Sequence, residues 1–298
     1  MVKLPFGVFI NNLIDDLRIL SWEACDSLLY YSQMLRDPNN KSNIVRNNDD
    51  PVTLADLKVN EIIIQGINEK YKDINWEILS EENVKADISN FDKNAEWAWV
   101  IDPLDGTKDF IQGTANYALH LALNYERKPL IGVVLIPERD ELWISNGKNV
   151  WCQGRDNSQK TPNLSKGKSL KDMVLVTSKN HRNQKLRNLI DKIAFKETKI
   201  MGSIGCKISS ILRGESDIYI CLSLPGKSCP KDWDFAAPEA ILKAAGGAIT
   251  NLDNEDLSYF NSKFEQGGII IASSDRTLHK QICSEIKDLV KKHAIYPF

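Results

Sequence analysis

The sequence predicts an α/β (α+β) protein built from two unlike halves. Three observations predict it. Two stretches of helical spacing open the chain, a series of strand-like segments with short connections follows, and beyond residue 170 strands and helices alternate. The change of rhythm falls at GRDNSQKTPNLSKGKSL (154–170), rich in Gly, Ser, Asn and Pro. It divides the chain into an N-terminal α+β half with an antiparallel sheet (1–155) and a C-terminal α/β half (156–298).

Leu13, Leu17, Leu20, Ala24, Leu28 and Tyr31 recur at helical spacing, so a first helix is expected from Phe9 to Leu35, ending near Asp37-Pro38. The polar run DPNNKSNIVRNNDDP reads as a loop, after which Thr53 opens a second helix that runs to about Tyr71. Strands are expected at 76–79, 96–101, 118–126, 130–136, 141–145 and 148–152. Their short connections favour antiparallel pairing. In the second half strand 173–177, helix 182–195, strand 199–201, helix 205–213, strand 217–222, helix 235–245, strand 268–272 and helix 276–293 follow one another. No internal repeat or low-complexity tract interrupts the pattern.

A chain of 298 residues with 42% hydrophobic and 26% charged residues suits a globular protein with a sizeable core. Its formal net charge of −2 offers no basic field for gathering nucleic acid, so an anionic ligand must be held locally. No apolar run approaches the roughly 18 residues of a membrane span, and the opening LPFGVFI is short and followed by polar residues. The six cysteines form no C-x-x-C pair; a reduced, cytoplasmic setting with most of them buried is expected.

Chemistry concentrates in three places. In WAWVIDPLDGTKDF (97–110) an apolar strand delivers Asp102 and Asp105 across a Pro-Leu bend, a geometry that aims two carboxylates at one point. Glu81 and Glu82 follow WEILS, where one carboxylate turns inward and the other faces solvent. Asp232-Trp233-Asp234 precedes FAAPEAILKAAGG, an apolar helix whose entry suits a carboxylate facing a cleft. Taken singly, these residues have bland readings as turn aspartates, surface charge and an N-cap. Together they predict a site for a hard cation, and no His/Cys cluster with zinc spacing competes.

SEE (80–82), DPLDGTKDF (102–110) and WDFAAPEAILKAAGG (233–247) resemble, in order, spacing and context, the three signatures of the lithium-sensitive, magnesium-dependent inositol monophosphatase superfamily. The resemblance covers about residues 10–290. Within that superfamily PVTLAD (51–56), TSKNHRN (177–183), GSIGCK (202–207) and PGKSCPKDWDFAAPEAIL (225–242) are most similar to the 3′(2′),5′-bisphosphate nucleotidases.

The resemblance implies a layered α-β-α-β-α sandwich. It implies a centre for two or three Mg²⁺ ions made of Glu81, Asp102, the backbone carbonyl of Leu104, Asp105 and Asp234, with Li⁺ as an inhibitor. It implies that Thr107 and Asp56 orient and deprotonate the attacking water; a capping box with Thr53 is the competing reading of Asp56, one carboxylate being unable to fill both roles at once, and the resemblance favours catalysis. Substrate contacts fall on Gly106, Thr107, His181, Ser203, Lys207 and Asp234, with an anion favoured near the amides that open helix 205–213. Two departures stand out. Cys221 occupies a position where some bisphosphate nucleotidases carry arginine, and Arg46 stands where a lysine is usual.

The implied reaction is hydrolysis of the 3′-phosphate of adenosine 3′,5′-bisphosphate to AMP and phosphate, with the sulfated nucleotide as a second substrate, in service of sulfate assimilation. The rival readings are a phosphatase of the same fold acting on inositol, sugar or histidinol phosphates, and a non-catalytic binding protein. A monomer or homodimer acting on a small phosphate ester, without nucleic acid polymer or membrane, is expected. Trp97, Trp99, His120 and Cys206 are assigned to the core, and Gly246-Gly247 to a helix end.

Overall fold

The computed structural model describes residues 4–36, 44–47, 50–86, 91–178, 183–224, 227 and 229–296. Five layers are stacked. The first holds α1 (Ile10–Arg36) and α2 (Leu54–Lys70). They cover a seven-stranded sheet made, in spatial order, of β3 (Glu77–Ser80), β4 (Trp97–Asp105), β5 (Ala118–Tyr125), β6 (Lys128–Ile136), β7 (Glu141–Ser145), β8 (Val150–Gln153) and β9 (Gln159–Lys160). Only the β3–β4 pair is parallel among its ladders, as the short connections require. The 155/156 division falls between β8 and β9.

The middle layer is α6 (Ile204–Leu212) and α7 (Asp232–Ala244). Beyond it lies a five-stranded sheet in the order β11 (Glu197–Met201), β10 (Val174–Ser178), β12 (Ile218–Ser223), β14 (Gly268–Ser273) and β13 (Ala248–Asn251). Here β10 pairs in parallel with β11 and β12, and the other pairs are antiparallel. The outer layer is α5 (Gln184–Ile193) and α8 (His279–Lys292), closed on the sheet by Leu186, Leu189, Ile282 and Ile286.

Alternation along the strands decides which side chains reach the middle layer. On β4, Trp97, Trp99 and Ile101 pack towards α1 and α2, whereas Ala98 and Val100 join the core shared with α6 and α7. On β5 the leucines 119, 121 and 123 take the first side and Ala118 and Ala122 the second. Small side chains on the inner face let α7 lie close to the sheet through Ala236 and Ala237. Asp102 and His120 share the parity of that inner face and sit directly opposite each other in the ladder.

Several expectations are corrected. The polar run after α1 contains a hairpin of β1 (Ile44–Asn47) and β2 (Asp50–Thr53), whose strands pair with each other in a two-stranded sheet. The Pro-Leu bend is a bulge inside β4: Asp102 faces His120 and Asp105 faces Ala118, three residues against two. The helix expected from residue 235 begins at Asp232. Two short helices, α3 (Glu81–Ala86) and α4 (Thr107–Ile111), and the short strand β13 were not expected.

Candidate active site

The bulge in β4 is what builds the site. Residues three apart on a regular strand point to opposite faces; one extra residue returns Asp105 to the face of Asp102. Gly106 then turns the chain with φ +90, and a Cβ there would lie 2.8 Å from the Asn116 carbonyl, so the turn is reserved for glycine. The first turn of α7 supplies Asp234 from the opposite side. One carboxylate oxygen from each of Asp102, Asp105 and Asp234 lies within 4.8 Å of the others.

Burial of like charges leaves its mark on this trio. Burial, then the carboxylates of Glu81, Asp105 and Asp234, hold Asp102 well above the ordinary carboxylate range. Asp234 is raised by burial and by Asp105, against the Lys231 N–H that donates to it at 2.5 Å. Three crowded hard oxygens fit a divalent cation such as Mg²⁺.

Glu81 sits beside the trio. Its carboxyl is hydrogen-bonded to Asp102, and burial raises it despite Lys85. The expected division, one glutamate inward and one in solvent, does not occur: Glu82 is buried, and Lys85 bridges both glutamates at 3.0 and 2.8 Å. The spacing of Lys85, three and four residues along α3, is the signal that sequence reading passed over. The Leu104 carbonyl accepts from Thr107 Oγ1 at 3.2 Å, and the Leu104 N–H donates to Asp102 Oδ1 at 3.1 Å.

Asp105 is held from behind. Its Oδ2 accepts from Ser203 Oγ at 2.7 Å, from the Gly205 N–H at 3.2 Å and from the Ile204 N–H. Of the Gly202 and Ile204 amides expected near a substrate anion, that of Ile204 is turned to a carboxylate of the protein. His120, assigned to the core from sequence, is fully buried there, its Nε2 3.4 Å from Asp105 Oδ2 and its Nδ1 3.3 Å from the Trp233 carbonyl. Its place opposite Asp102 follows from strand parity, which becomes readable only once the register is known.

Asp56 forms the capping box: Thr53 N–H and Oγ1 both donate to Oδ2, at 2.7 and 2.6 Å. Both bonds fall on one oxygen. Burial, opposed by Thr53 and reinforced by Glu81 and Glu82, lifts its carboxyl to about 7. The α4 helix, which begins at Thr107, packs beside β2, the strand that ends at Thr53.

Lys207, on α6, is buried rather than exposed. Its Nζ donates to the Ser203 carbonyl at 3.1 Å and lies 5.3 Å from the centre of the Tyr219 ring. Burial lowers its pKa against the pull of Asp105, Cys221, Cys206 and Asp234. Cys221 faces this layer from β12, with its thiol raised by burial. Asp232 is spent on structure, accepting from the Phe260 N–H and from Gln266 Nε2, both at 2.7 Å. His181 lies outside the described residues, as does the side chain of Arg46.

A family model for the inositol monophosphatase family matches residues 23–291. The chain belongs to the inositol monophosphatase family. It is 31% identical over 267 residues to the 3′(2′),5′-bisphosphate nucleotidase CysQ of Buchnera aphidicola, covering 87% of this chain and 93% of that one. Among solved structures, an IMPase of Thermotoga maritima superposes with a TM-score of 0.72 at 20% identity, covering 94% and 99% of the two chains. CysQ from Bacteroides thetaiotaomicron gives 0.70 at 24%, covering 90% and 99%. The layered α/β architecture is thus that of the family, whose members are metal-dependent phosphatases. Among the described residues no helix of this family member is long and apolar enough to cross a membrane.

Proposed function

We propose that the protein is a cytoplasmic Mg²⁺-dependent phosphatase that removes the 3′-phosphate of adenosine 3′,5′-bisphosphate, giving AMP and phosphate, and that also accepts the sulfated nucleotide. The observation that carries the reading is the carboxylate trio, bordered by α6, which bonds Asp105 and carries the buried Lys207. The family and the likeness to CysQ support it.

In this mechanism Glu81, Asp102, the Leu104 carbonyl, Asp105 and Asp234 hold the cations. Bound there, Mg²⁺ supplies charge neutralisation on the phosphate and a water of lowered pKa. Thr107 would orient the attacking water and Asp56 would take its proton; a carboxyl near 7 is matched to that task at neutral pH. The water oxygen bonds to phosphorus as the bond to the ribose 3′ oxygen breaks; that oxygen takes a proton from solvent water, and Asp56 returns its own to solvent. Gly106, through its backbone, Thr107 and Asp234 line the reacting phosphate, while Lys207 and His181 take the nucleotide, Lys207 meeting its second phosphate. Li⁺ competes for the same carboxylates.

The test is phosphate release with Mg²⁺ from adenosine 3′,5′-bisphosphate, inositol 1-phosphate and fructose 1,6-bisphosphate. At least a tenfold preference in kcat/KM for the nucleotide, about 1.4 kcal/mol, is expected. A preference for inositol 1-phosphate would move the protein to the other branch of the family. Release from none of the three would favour the binding-protein reading.

A further inference from the structure

We propose that Ser203 is a positioning residue for Asp105: its hydroxyl fixes Oδ2 of that carboxylate and thereby leaves Oδ1 aimed at the cation. This rests on the reading of Asp105 as a cation ligand. All contacts that α6 makes to Asp105 fall on Oδ2, from Ser203 Oγ at 2.7 Å, from the Gly205 N–H at 3.2 Å and from the Ile204 N–H. None reaches Oδ1. A carboxylate that can no longer rotate presents its free oxygen in one direction, and outer partners of this kind typically change metal affinity about 10–100-fold.

The serine is fully committed to that task. Its single proton goes to Asp105, while its oxygen accepts from the Cys206 N–H at 3.1 Å and so caps α6. No donor is left for a substrate, and the residue is buried. Its backbone stands at φ +39, ψ 133, in the region that a non-glycine residue occupies only under constraint. Glycine would relieve that strain and would cap the helix nearly as well. What glycine lacks is the hydroxyl, so backbone and side chain pull in opposite directions at this position.

The Gly106 turn seals the arrangement. A Cβ on Gly106 would stand 3.2 Å from the Ser203 nitrogen and 3.3 Å from its Cβ, so the residue after Asp105 already touches Ser203. The end of β4 and the start of α6 are packed as one piece.

The opposition supplies the test. Mg²⁺ binding to the full chain, without substrate, is measured by isothermal titration calorimetry for wild type, Ser203→Gly, Ser203→Ala and Asp105→Asn, with thermal unfolding of each metal-free protein. Ser203→Gly is expected to bind Mg²⁺ about tenfold more weakly while unfolding at the same or a higher temperature than wild type. Ser203→Ala, which keeps the strained backbone, is expected to show the same loss of affinity, and at saturating Mg²⁺ both should keep KM for adenosine 3′,5′-bisphosphate within about twofold. Unchanged Mg²⁺ affinity in either serine variant overturns the proposal. So does a raised KM at saturating Mg²⁺, which makes Ser203 a substrate contact. Wild-type Mg²⁺ affinity in Asp105→Asn, or no Mg²⁺ binding by wild type, overturns the cation-ligand reading itself and the proposal with it.

Discussion

Asp102 and Asp217 are both 1% exposed, yet burial ends differently for the two. Asp217, at the mouth of β12, is pushed up by burial, but Lys168 at 2.8 Å, the Ser165 hydroxyl and the Val174 N–H at 2.7 Å more than reverse it. Asp102 meets Glu81, Asp105 and Asp234 instead, and every one of those charges drives it further up. A buried carboxylate whose positive and N–H partners come from the chain holds the fold together. A buried carboxylate surrounded by others is left for a cation to satisfy. Two residues on one turn of α7 differ in their partners although burial raises both: Asp232, lifted to about 6, accepts from Phe260 and Gln266, whereas Asp234 joins the trio.

The contrast breaks first, and by the largest margin, at Asp105→Asn. An amide keeps the shape but is a poor ligand for a hard cation, so Mg²⁺-dependent turnover should fall at least about 100-fold. The metal-free protein should unfold near the wild-type temperature, because the amide oxygen can still accept from the Ser203 hydroxyl and the two α6 N–H groups while a like charge is removed. Phosphate release and a melting curve on the same sample check both halves; activity near wild type would take Asp105 out of the site. Asp217→Asn is the mirror experiment. Removing the partner of Lys168 and of the Val174 N–H should cost about 2–3 kcal/mol in urea unfolding, with kcat/KM of the folded enzyme unchanged. A loss of kcat/KM without a loss of stability would erase the distinction between the two regions.

The sequence carried much of this contrast and omitted its decisive part. Strand and helix periodicity placed α1, β4 to β8 and the alternation of the second half. The acidic motifs pointed to Glu81, Asp102, Asp105 and Asp234. The parity of Asp102 and Asp105 could not be read, because a bulge depends on how β4 meets β5 and not on β4 alone. For the same reason the contacts of His120 and Ser203 with Asp105 and the burial of Lys207 were not readable, each resting on a layer that only folding assembles, while the assignment of His120 to the core holds. At Asp56 the sequence reading preferred catalysis to the capping box that T-x-x-D also offered, and the box is formed.

Lys207 sharpens the comparison, since it is the cation that neither kind of carboxylate binds directly. Lys207→Met keeps the length of the stem in a buried position and removes the ammonium. Use of adenosine 3′,5′-bisphosphate should fall by about 1.5–3 kcal/mol in kcat/KM, the range for a hydrogen bond to a charged group. Hydrolysis of 3′-AMP, which lacks the second phosphate, should change much less. Equal losses on both substrates would place Lys207 at the reacting phosphate or in the fold, and no loss on either would remove it from recognition.

The smallest effect is a pH dependence whose sign separates the two regions. A carboxyl raised in the fold keeps its proton longer than in the unfolded chain, so its contribution is favourable in acid and is lost as pH rises through the folded pKa. Asp102 and Asp234 are raised, and Asp56, at about 7, sets the window at roughly pH 4–7. His279, in the outer layer, has the other sign. Burial, then Lys243, lowers it to about 4 while Thr250 and Ser273 hold its two ring nitrogens at 2.8 and 2.7 Å. Its stabilisation is complete above the unfolded pKa of about 6.5 and drains away as pH falls towards 4. Mg²⁺ replaces protons only at the carboxylate cluster, so subtracting melting temperatures with and without Mg²⁺ cancels His279 and isolates the site. The increase in Tm on adding Mg²⁺ should therefore be larger at pH 8 than at pH 5, by about 2–4 °C for each kcal/mol of proton competition removed. An equal or larger increase at pH 5 would mean that the cation does not bind where the carboxylates crowd.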